Sequence, residues 1–298
     1  VPLISAPICL LCTFGGNRKA AWLLTLLVSW FTFISALYLL NHVLVDGEIS
    51  YHLGNWKPPF GIEYRVDAIN ALVLVIISGI SAVALPFARL IVEKEIETDR
   101  QILFYTCYLL CLTGLLGVTI TGDAFNIFVF LEISSLSSYV LIATGARNDR
   151  RALTAAYNYL ILGTVGATFF VIGIGLLYMV TGTLNIADLS ERLKPLADSR
   201  VVHAGFAFIV IGVGLKLALF PMHIWLPNAY TYAPSLVSVF LAATATKVSI
   251  YVLLRFLYTV FGPTYGFVAI TLELIFLPLA LAAMFYGSVA AIYQTNIK

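Results

Sequence analysis

The feature of this sequence that most constrains its fold is a succession of long apolar runs, separated by connectors that carry charged, Gly or Pro residues. A transmembrane helix needs about 20 mostly apolar residues. The runs are continuous and lack the two-residue alternation of membrane barrel strands. Nine spans are predicted, the first of them truncated: Val1–Phe14, Ala20–Val45, Ala68–Val92, Ile102–Thr121, Ala124–Ala146, Ala152–Val180, His203–Trp225, Ser235–Phe261 and Tyr265–Tyr293.

Composition supports the same fold class. Of the 298 residues, 61% are hydrophobic and 11% are charged, against roughly 45–50% and about 25% in soluble domains. Such a chain cannot cover itself with polar surface, so we expect an all-α, polytopic integral membrane bundle in the lipid bilayer. The formal net charge is +2, and no basic run or Gly-rich phosphate loop points to nucleic acid. Because it begins at Val1 and stops at Lys298 just after an apolar run, we expect a fragment.

Two longer connectors are expected to form structure outside the membrane. Residues 46–67 alternate weakly and contain a Pro-Pro-Phe-Gly turn signal, which favours a short hairpin. Residues 182–200 have the pattern of a short amphipathic surface helix.

The distribution of Lys and Arg among the connectors predicts orientation, because cytoplasmic loops are enriched in these residues. We therefore expect the N-terminus outside, the first, third and fifth connectors in the cytoplasm, and the chain in the inner (cytoplasmic) membrane of the cell. Arg255, near the outer end of the eighth span, is expected to be an interface anchor. Eight basic residues flank the cytoplasmic connectors and five the even-numbered ones: Arg18, Lys19, Arg89, Lys94, Arg100, Arg147, Arg150 and Arg151, against Lys57, Arg65, Arg192, Lys194 and Arg200.

The four cysteines do not predict a metal or redox site. Cys9 and Cys12 are three residues apart inside the first apolar run, and Cys107 and Cys111 are four apart inside a later one. Both spacings place two thiols on one face of a helix, and no histidine lies near either pair in sequence. We therefore expect buried membrane thiols, and neither a metal nor a cofactor.

Three ionisable residues lie where a bilayer helix normally has none: Glu132, Lys216 and Lys247. Each costs about 2.5–3.5 kcal/mol on insertion scales, which makes each a functional hypothesis. All three fall near the centres of their spans, and therefore near the bilayer midplane. They could form a static ion pair that holds the bundle together, but one acid and two bases are uneven for that purpose. We favour a proton relay.

Lysine suits a relay because its proton affinity can be tuned. Burial favours the neutral amine and a nearby carboxylate favours the ammonium, whereas arginine keeps its proton throughout the working range. A lysine subject to both influences can gain or lose a proton when the carboxylate moves or is protonated.

Pro221 and His223 follow Lys216 closely. Pro221, inside the apolar run, must remove a backbone hydrogen bond, and discontinuous helices beside ion sites recur in transporters. A kink with packing consequences only is the alternative. Histidine is a side chain that can pass protons on, so His223 is a candidate relay member, or it could be a structural histidine.

The segments around these residues resemble a known family. TGDAFNIFVFLEISSLSSYVLIATG, GLKLALFPMHIWLPNAY and APSLVSVFLAATATKVSIYVLLRF are similar to the antiporter-like membrane subunits of respiratory complex I, of membrane-bound hydrogenases and of Mrp-type multisubunit cation/proton antiporters. The segments TGDAFNIFVFLE and MVTGTLNIADLSERL are most similar to the Mrp D subunit.

The resemblance implies a fold of about fourteen helices with two inverted five-helix repeats, each containing a broken helix. On that basis residues 1–101 would hold the first three helices with the hairpin 46–67. Residues 102–261 would be the first repeat, a proton half-channel, and 262–298 the start of a truncated second repeat. Asn228 stands where many relatives have Asp, which puts a carboxylate role there in doubt.

The same resemblance assigns roles to three residues. Glu132 matches the fifth-helix glutamate, Lys216 the broken-helix lysine and Lys247 the eighth-helix lysine. The implied function is a proton-translocating subunit of a monovalent cation (Na⁺)/proton antiporter, an ion-transport role rather than an enzymatic one. Its partners would be other membrane subunits, protons and a monovalent cation.

Three alternatives remain open at this point. The chain could be the same module in a redox-driven complex, in which case electron chemistry would lie in partner subunits. It could be a passive membrane scaffold, or a stand-alone carrier. The last is weakened because the sequence shows no substrate pocket larger than a proton relay.

Overall fold

The computed structural model describes residues 1–11, 17–262 and 265–294 and shows an α-helical bundle. Within these residues, eight helices are long and apolar enough to cross a membrane, which confirms the predicted polytopic helical fold. The helices are α1 (Pro2–Leu11), α2 (Arg18–Asp46), α3 (Ala68–Glu95), α4 (Gln101–Ile120), α5 (Ala124–Ala143), α6 (Arg151–Thr181), α7 (Ile186–Leu193), α8 (Arg200–Leu217), α9 (Trp225–Tyr232), α10 (Ser235–Leu254), α11 (Gly266–Ile270) and α12 (Leu277–Ile292).

Shorter elements join or extend these helices. α10 continues as π-helix over Arg255–Phe261, and π-helix over Thr271–Phe276 joins α11 to α12. Single 3₁₀ turns occupy Leu53–Asn55, Thr98–Arg100, Thr144–Arg147 and Lys194–Leu196. Two strands, β1 (Ile49–His52) and β2 (Glu63–Val66), pair antiparallel with Ile49 opposite Val66.

Two of the predicted spans differ from the structure in extent. The first, Val1–Phe14, contains the ten-residue helix α1, and its residues 12–14 lie outside the described part of the chain. The seventh, His203–Trp225, is not one helix, because α8 ends at Leu217 and a non-helical segment separates it from α9. The difference arises because apolarity alone does not distinguish a continuous helix from a broken one.

Polar caps fix where several helices begin. Asp67 accepts hydrogen bonds from the backbone amides of Ile69 and Asn70, both at 3.0 Å, and the Asn70 side chain accepts one from the Asp67 amide, which completes a capping box at the start of α3. Asp123 caps α5 by accepting from the Asn126 amide, and Asn185 caps α7 by accepting from the Ala187 and Asp188 amides. These caps satisfy amides that would otherwise have no partner at a helix start.

The core of the bundle lies around α4. Most of its side chains are buried on all sides, including Phe104, Tyr108 and Leu112. The Tyr108 hydroxyl lies 3.1 Å from the Ser81 hydroxyl of α3, and its ring packs against Phe240 of α10. By contrast, the last span, Gly266–Ile292, is almost entirely exposed.

Helices α6 and α8 approach closely at glycines. A Cβ at Gly212 would lie 2.6 Å from the Gly166 carbonyl oxygen, and one at Gly173 would lie 2.8 Å from the Gly205 carbonyl oxygen. Small residues allow such backbone contact between membrane helices. Gly212 is one turn before Lys216, so this contact sets the position of that lysine relative to α6.

The connectors that were predicted to be extramembrane meet at one end of the bundle. The Gly122 amide donates to the Glu63 carbonyl of β2 at 2.8 Å, and the Ile186 amide donates to the Gly122 carbonyl at 2.9 Å. In α7, Ile186, Leu189 and Leu193 are buried, so one face of this short helix packs onto the bundle.

Candidate functional site

The centre of the bundle contains an ion pair between Lys216 and Glu132. The Lys216 ammonium lies 2.8 Å from Glu132 Oε1 and donates to the Ser135 hydroxyl at 2.7 Å. The Lys216 side chain is 5% exposed and that of Glu132 is 21% exposed. The described chain therefore contains one buried acid–base pair at membrane depth with a hydroxyl as a third member.

Local helix geometry explains why these groups meet. Glu132 and Ser135 are three residues apart on α5 and therefore share a face. Lys216 lies in the last turn of α8, where the unpaired carbonyls of a helix end favour a positive charge. Lys216 and Ser249 of α10 line the same narrow cleft, so the lysine lies between α5 and α10.

The helix break begins directly after Lys216. Ala218 adopts a left-handed conformation (φ 59°), and the Leu219 amide donates back to the Gly214 carbonyl at 2.8 Å. Pro221 lies in the non-helical segment that follows, outside both α8 and α9. The helix thus ends beside a buried ammonium, with its Gly214 and Leu215 carbonyls bonded to the Leu219 and Ala218 amides.

Trp225 closes this break from the other side. Its indole N–H donates to the Leu215 carbonyl at 3.1 Å, and its ring stacks on Tyr159 of α6 at a centroid distance of 4.0 Å. The same carbonyl also accepts from the Ala218 amide at 3.2 Å, so Trp225 adds a side-chain hydrogen bond to the backbone at the end of α8. The adjacent Tyr139 hydroxyl of α5 is buried without a hydrogen-bond partner among the described residues.

His223 lies in the break but makes no described hydrogen bond or ion pair with Lys216 or Glu132. Its ring stacks on Phe220 at a centroid distance of 5.3 Å and meets the edge of Tyr286 at 5.5 Å. Its Nδ1 is buried and has no partner in the part of the chain that the structure describes. The histidine thus faces the last helix rather than the ion pair.

Lys247 is also separate from the ion pair. It lies in the middle of α10, its side chain is exposed, and its ammonium donates to the Ala242 carbonyl at 2.6 Å and to the Thr246 hydroxyl at 3.3 Å. No carboxylate of the described residues lies within 4.0 Å of it. The structure therefore brings together Glu132 and Lys216, and leaves Lys247 and His223 apart from them.

Sequence reasoning identified the charged members but missed three of their neighbours. Ser135 belongs to a run of serines whose individual roles the pattern does not distinguish. Trp225 and Tyr139 look like ordinary apolar-face aromatics, and the only signal for Trp225 is its position four residues after Pro221. Their importance depends on contacts between helices.

The described residues offer no resident metal centre. Across residues 1–11, 17–262 and 265–294, no group of three or more His, Cys, Asp or Glu side chains could hold an ion. Cys9, Cys107 and Cys111 are buried, Cys107 and Cys111 are free thiols, and the Cys111 sulfur lies 3.4 Å from the Ser138 hydroxyl. Cys12 lies outside the described residues.

Comparison of the sequence with known proteins shows which family it belongs to. The family described as NADH:quinone oxidoreductase/Mrp antiporter, TM, matches residues 121–298. The chain belongs to this family. It is accordingly an integral, multi-pass membrane protein of the antiporter-like class.

Individual relatives of this family member come from several kinds of complex. The chain is 44% identical to the N subunit of the NADH-quinone oxidoreductase of Desulforudis audaxviator, over 87% of its own length and 50% of the relative's. It is 32% identical to the D subunit of the Na(+)/H(+) antiporter of Alkalihalophilus pseudofirmus, over 88% and 52% respectively. It spans about half the length of these curated relatives.

One solved structure matches almost the whole chain. This is a chain of the membrane-bound sulfane sulfur reductase, an archaeal respiratory membrane complex, with a TM-score of 0.87 and 30% identity over 99% of this chain and 59% of that one. The predicted recognition, an antiporter-like protein related to both Mrp antiporters and complex I, is thereby confirmed.

Proposed function

We propose that this chain translocates protons across the membrane as a subunit of a multisubunit complex, and that the Glu132–Lys216 pair is the group that changes protonation. One observation carries the proposal: a buried lysine contacts a carboxylate at 2.8 Å at the point where its helix breaks. Static packing of a bundle does not require a break there.

The chemistry follows from the contacts of Lys216. With Glu132 ionised, the ammonium is stabilised by the carboxylate, by the Ser135 hydroxyl and by the carbonyl end of α8. When Glu132 moves away or takes a proton, burial favours the neutral amine, and Lys216 releases a proton to a neighbouring acceptor. A change of about 1.4 kcal/mol in their interaction shifts this equilibrium tenfold.

Lys247 and His223 extend the proposed path on either side of the pair. Lys247 is the second lysine of the relay on α10, and the cleft that Lys216 shares with Ser249 points toward that helix. His223 is the member nearest Tyr286. Both would exchange protons with Lys216 through water, because neither makes a described direct contact with it.

The proposed complex lies in the inner membrane of the cell, and two assemblies have support. Similarity to the Na(+)/H(+) antiporter protein of Alkalihalophilus pseudofirmus favours a monovalent cation/proton antiporter, with Na⁺ as the counter-ion. The higher identity to the NADH-quinone oxidoreductase protein of Desulforudis audaxviator favours a redox-driven complex in which partner subunits carry the electrons. Identification of the copurifying subunits separates them: flavin or iron–sulfur proteins indicate the redox complex, and small membrane subunits alone indicate the antiporter.

Replacing Glu132 by Gln tests the proton role. Gln keeps the size and hydrogen-bonding capacity of Glu132 but cannot carry the charge that holds the proton on Lys216. We expect proton transport in membrane vesicles to be abolished while the complex still assembles, and Lys216→Ala to give the same loss. Lys194→Ala, which removes an exposed lysine paired with Glu191, is the matched control.

Assembled Glu132→Gln complex with normal proton transport would contradict the proposal. A loss of subunits in proportion to the loss of transport would instead support the passive scaffold. Transport must therefore be divided by the amount of complex in each vesicle preparation.

A further inference from the structure

A second polar region lies at the end of the bundle where the hairpin meets α3, α7 and α10. It is a cavity of about 260 Å³, bordered by Glu48, Glu63 and Asp67 on one side and by Tyr251, Arg255 and Thr259 on the other. Its position at the end of the even-numbered connectors corresponds to the outer side of the predicted topology. A polar opening of this size can hold several water molecules.

The charges of the cavity form two pairs and leave one acid. At the rim, the half-exposed Arg65 and Glu48 are 2.5 Å apart. Deeper, the largely buried Arg255 pairs with Asp67. Glu63 is buried and accepts hydrogen bonds from two neutral groups, the Ser50 hydroxyl at 2.5 Å and the Asn185 amide at 2.6 Å.

Both members of the Asp67–Arg255 pair lie at helix ends, Asp67 at the start of α3 and Arg255 at the end of α10. Asp67 also caps α3, and although burial raises the pKa of its carboxyl, hydrogen bonds from Arg255 and from the Asn70 and Ile69 amides lower it below the usual value. Arg255 is the residue at which α10 becomes π-helical, and such segments are frequent at functional sites. Arg255 is therefore a buried contact rather than the interface anchor that its sequence position suggested.

From this pair a polar stripe leads into the membrane. Arg255 Nε donates to the Tyr251 hydroxyl at 2.9 Å, and that hydroxyl donates to the Thr119 carbonyl at 3.0 Å. Lys247, Tyr251 and Arg255 follow one another at four-residue spacing and share one side of α10. The distance from Arg255 to Lys247 along the helix is about 12 Å at 1.5 Å per residue.

We propose that this cavity is the outer water-filled vestibule of the proton path, and that the Asp67–Arg255 pair with Tyr251 separates it from the part of α10 that carries Lys247. Arg255 cannot give up its proton, so its charge opposes an approaching proton unless Asp67 neutralises it. Asp67 thus sets the electrostatic barrier at the base of the vestibule. The inference rests on the proton transport proposed above.

Cysteine labelling tests whether the cavity is open to the outside, and transport after labelling tests whether it belongs to the proton path. Thr259→Cys, on the cavity wall, is treated from the outside of intact cells with a membrane-impermeant cationic thiol reagent, with the full-length protein in its native complex. We expect modification, and then a fall of about tenfold or more in transport, which corresponds to a barrier about 1.4 kcal/mol higher. Tyr258→Cys, an exposed neighbour away from the cavity lining, is the control and should keep its transport.

A second pair of variants tests the role of Asp67. Asp67→Asn retains a good helix cap but leaves Arg255 uncompensated, so transport should fall about tenfold. The double variant Asp67→Asn/Arg255→Gln should recover most of it. Glu191→Gln, which breaks an exposed ion pair with Lys194 outside the cavity lining, should have little effect.

Each outcome decides a different point. Absence of labelling at Thr259→Cys from outside, or labelling that leaves transport unchanged, overturns the vestibule. If Asp67→Asn transports normally, or the double variant is no better than the single one, the barrier role of the pair is overturned. The proposed function fails separately, if assembled Lys216→Ala complex still transports protons.

Discussion

The two lysines predicted to lie at the bilayer midplane, Lys216 and Lys247, look alike in sequence and differ completely in their surroundings. Each lies among apolar residues near the centre of its span. Lys216 is buried against Glu132 and Ser135 at the end of a broken helix, whereas Lys247 is exposed on the side of a continuous one and bonded to a carbonyl of its own turn.

The difference shows that membrane depth and environment are separate properties. Depth follows from position along the span, but the partners of a side chain depend on which helix packs against its face. The α5 face with Glu132 meets Lys216, and no described helix covers Lys247. The energetic consequences of removing the two lysines should therefore diverge.

The largest expected difference between the two lysines is the loss of unfolding free energy when each is replaced by Ala. Lys216→Ala leaves the Glu132 carboxylate without a cation, and breaking a buried pair in this way costs about 3–5 kcal/mol. Because Glu132 is 21% exposed, we expect the lower end of that range. Lys247→Ala removes an exposed side chain and should change stability by about 0.5 kcal/mol or less. Thermal unfolding of the purified complexes measures both.

The comparison has an internal check. The double variant Lys216→Ala/Glu132→Gln removes both charges and should recover part of the stability lost in Lys216→Ala. If the two single lysine variants unfold at the same temperature, the burial difference between the lysines has no energetic consequence and the comparison fails.

Much of the architecture could be predicted because it depends on local apolarity. Eight of the nine predicted spans correspond to long helices, and Lys216, Lys247 and Glu132 stand out because charge is costly in a bilayer. The partners of these residues could not be predicted. The sequence does not show which of the two lysines meets Glu132, nor that Arg255 turns inward to Asp67. Both depend on contacts between residues 84 or more positions apart.

A smaller effect is expected from the glycine that positions Lys216. A Cβ at Gly212 would lie 2.6 Å from the Phe170 nitrogen and the Gly166 oxygen, so Gly212→Ala must push α8 away from α6. Overpacking of this kind costs about 1–3 kcal/mol. The unfolding temperature should fall, and transport should fall with it because Lys216, one turn later, moves relative to Glu132.

Gly175→Ala on α6 is the matched control. Nothing lies within 4 Å of a Cβ at that position, so the change should be neutral or slightly stabilising through helix propensity. An equal loss of stability in both variants would show that close α6–α8 contact does not position the ion pair.

The smallest expected effect concerns the break beneath Lys216, a feature that α10 lacks at Lys247. Trp225→Phe should keep an aromatic ring stacked on Tyr159 but remove the indole N–H, one of the two donors to the Leu215 carbonyl. A lost hydrogen bond of this type costs about 1 kcal/mol, and it opens one acceptor position of that carbonyl to water or to the Lys216 ammonium. We therefore expect a small drop in unfolding temperature and a transport rate that changes several-fold at unchanged assembly. Tyr232→Phe, which alters a partly buried aromatic at the end of α9, provides the comparison. If the two variants behave alike, the Leu215 carbonyl does not contribute to the protonation of Lys216, and the break serves packing alone.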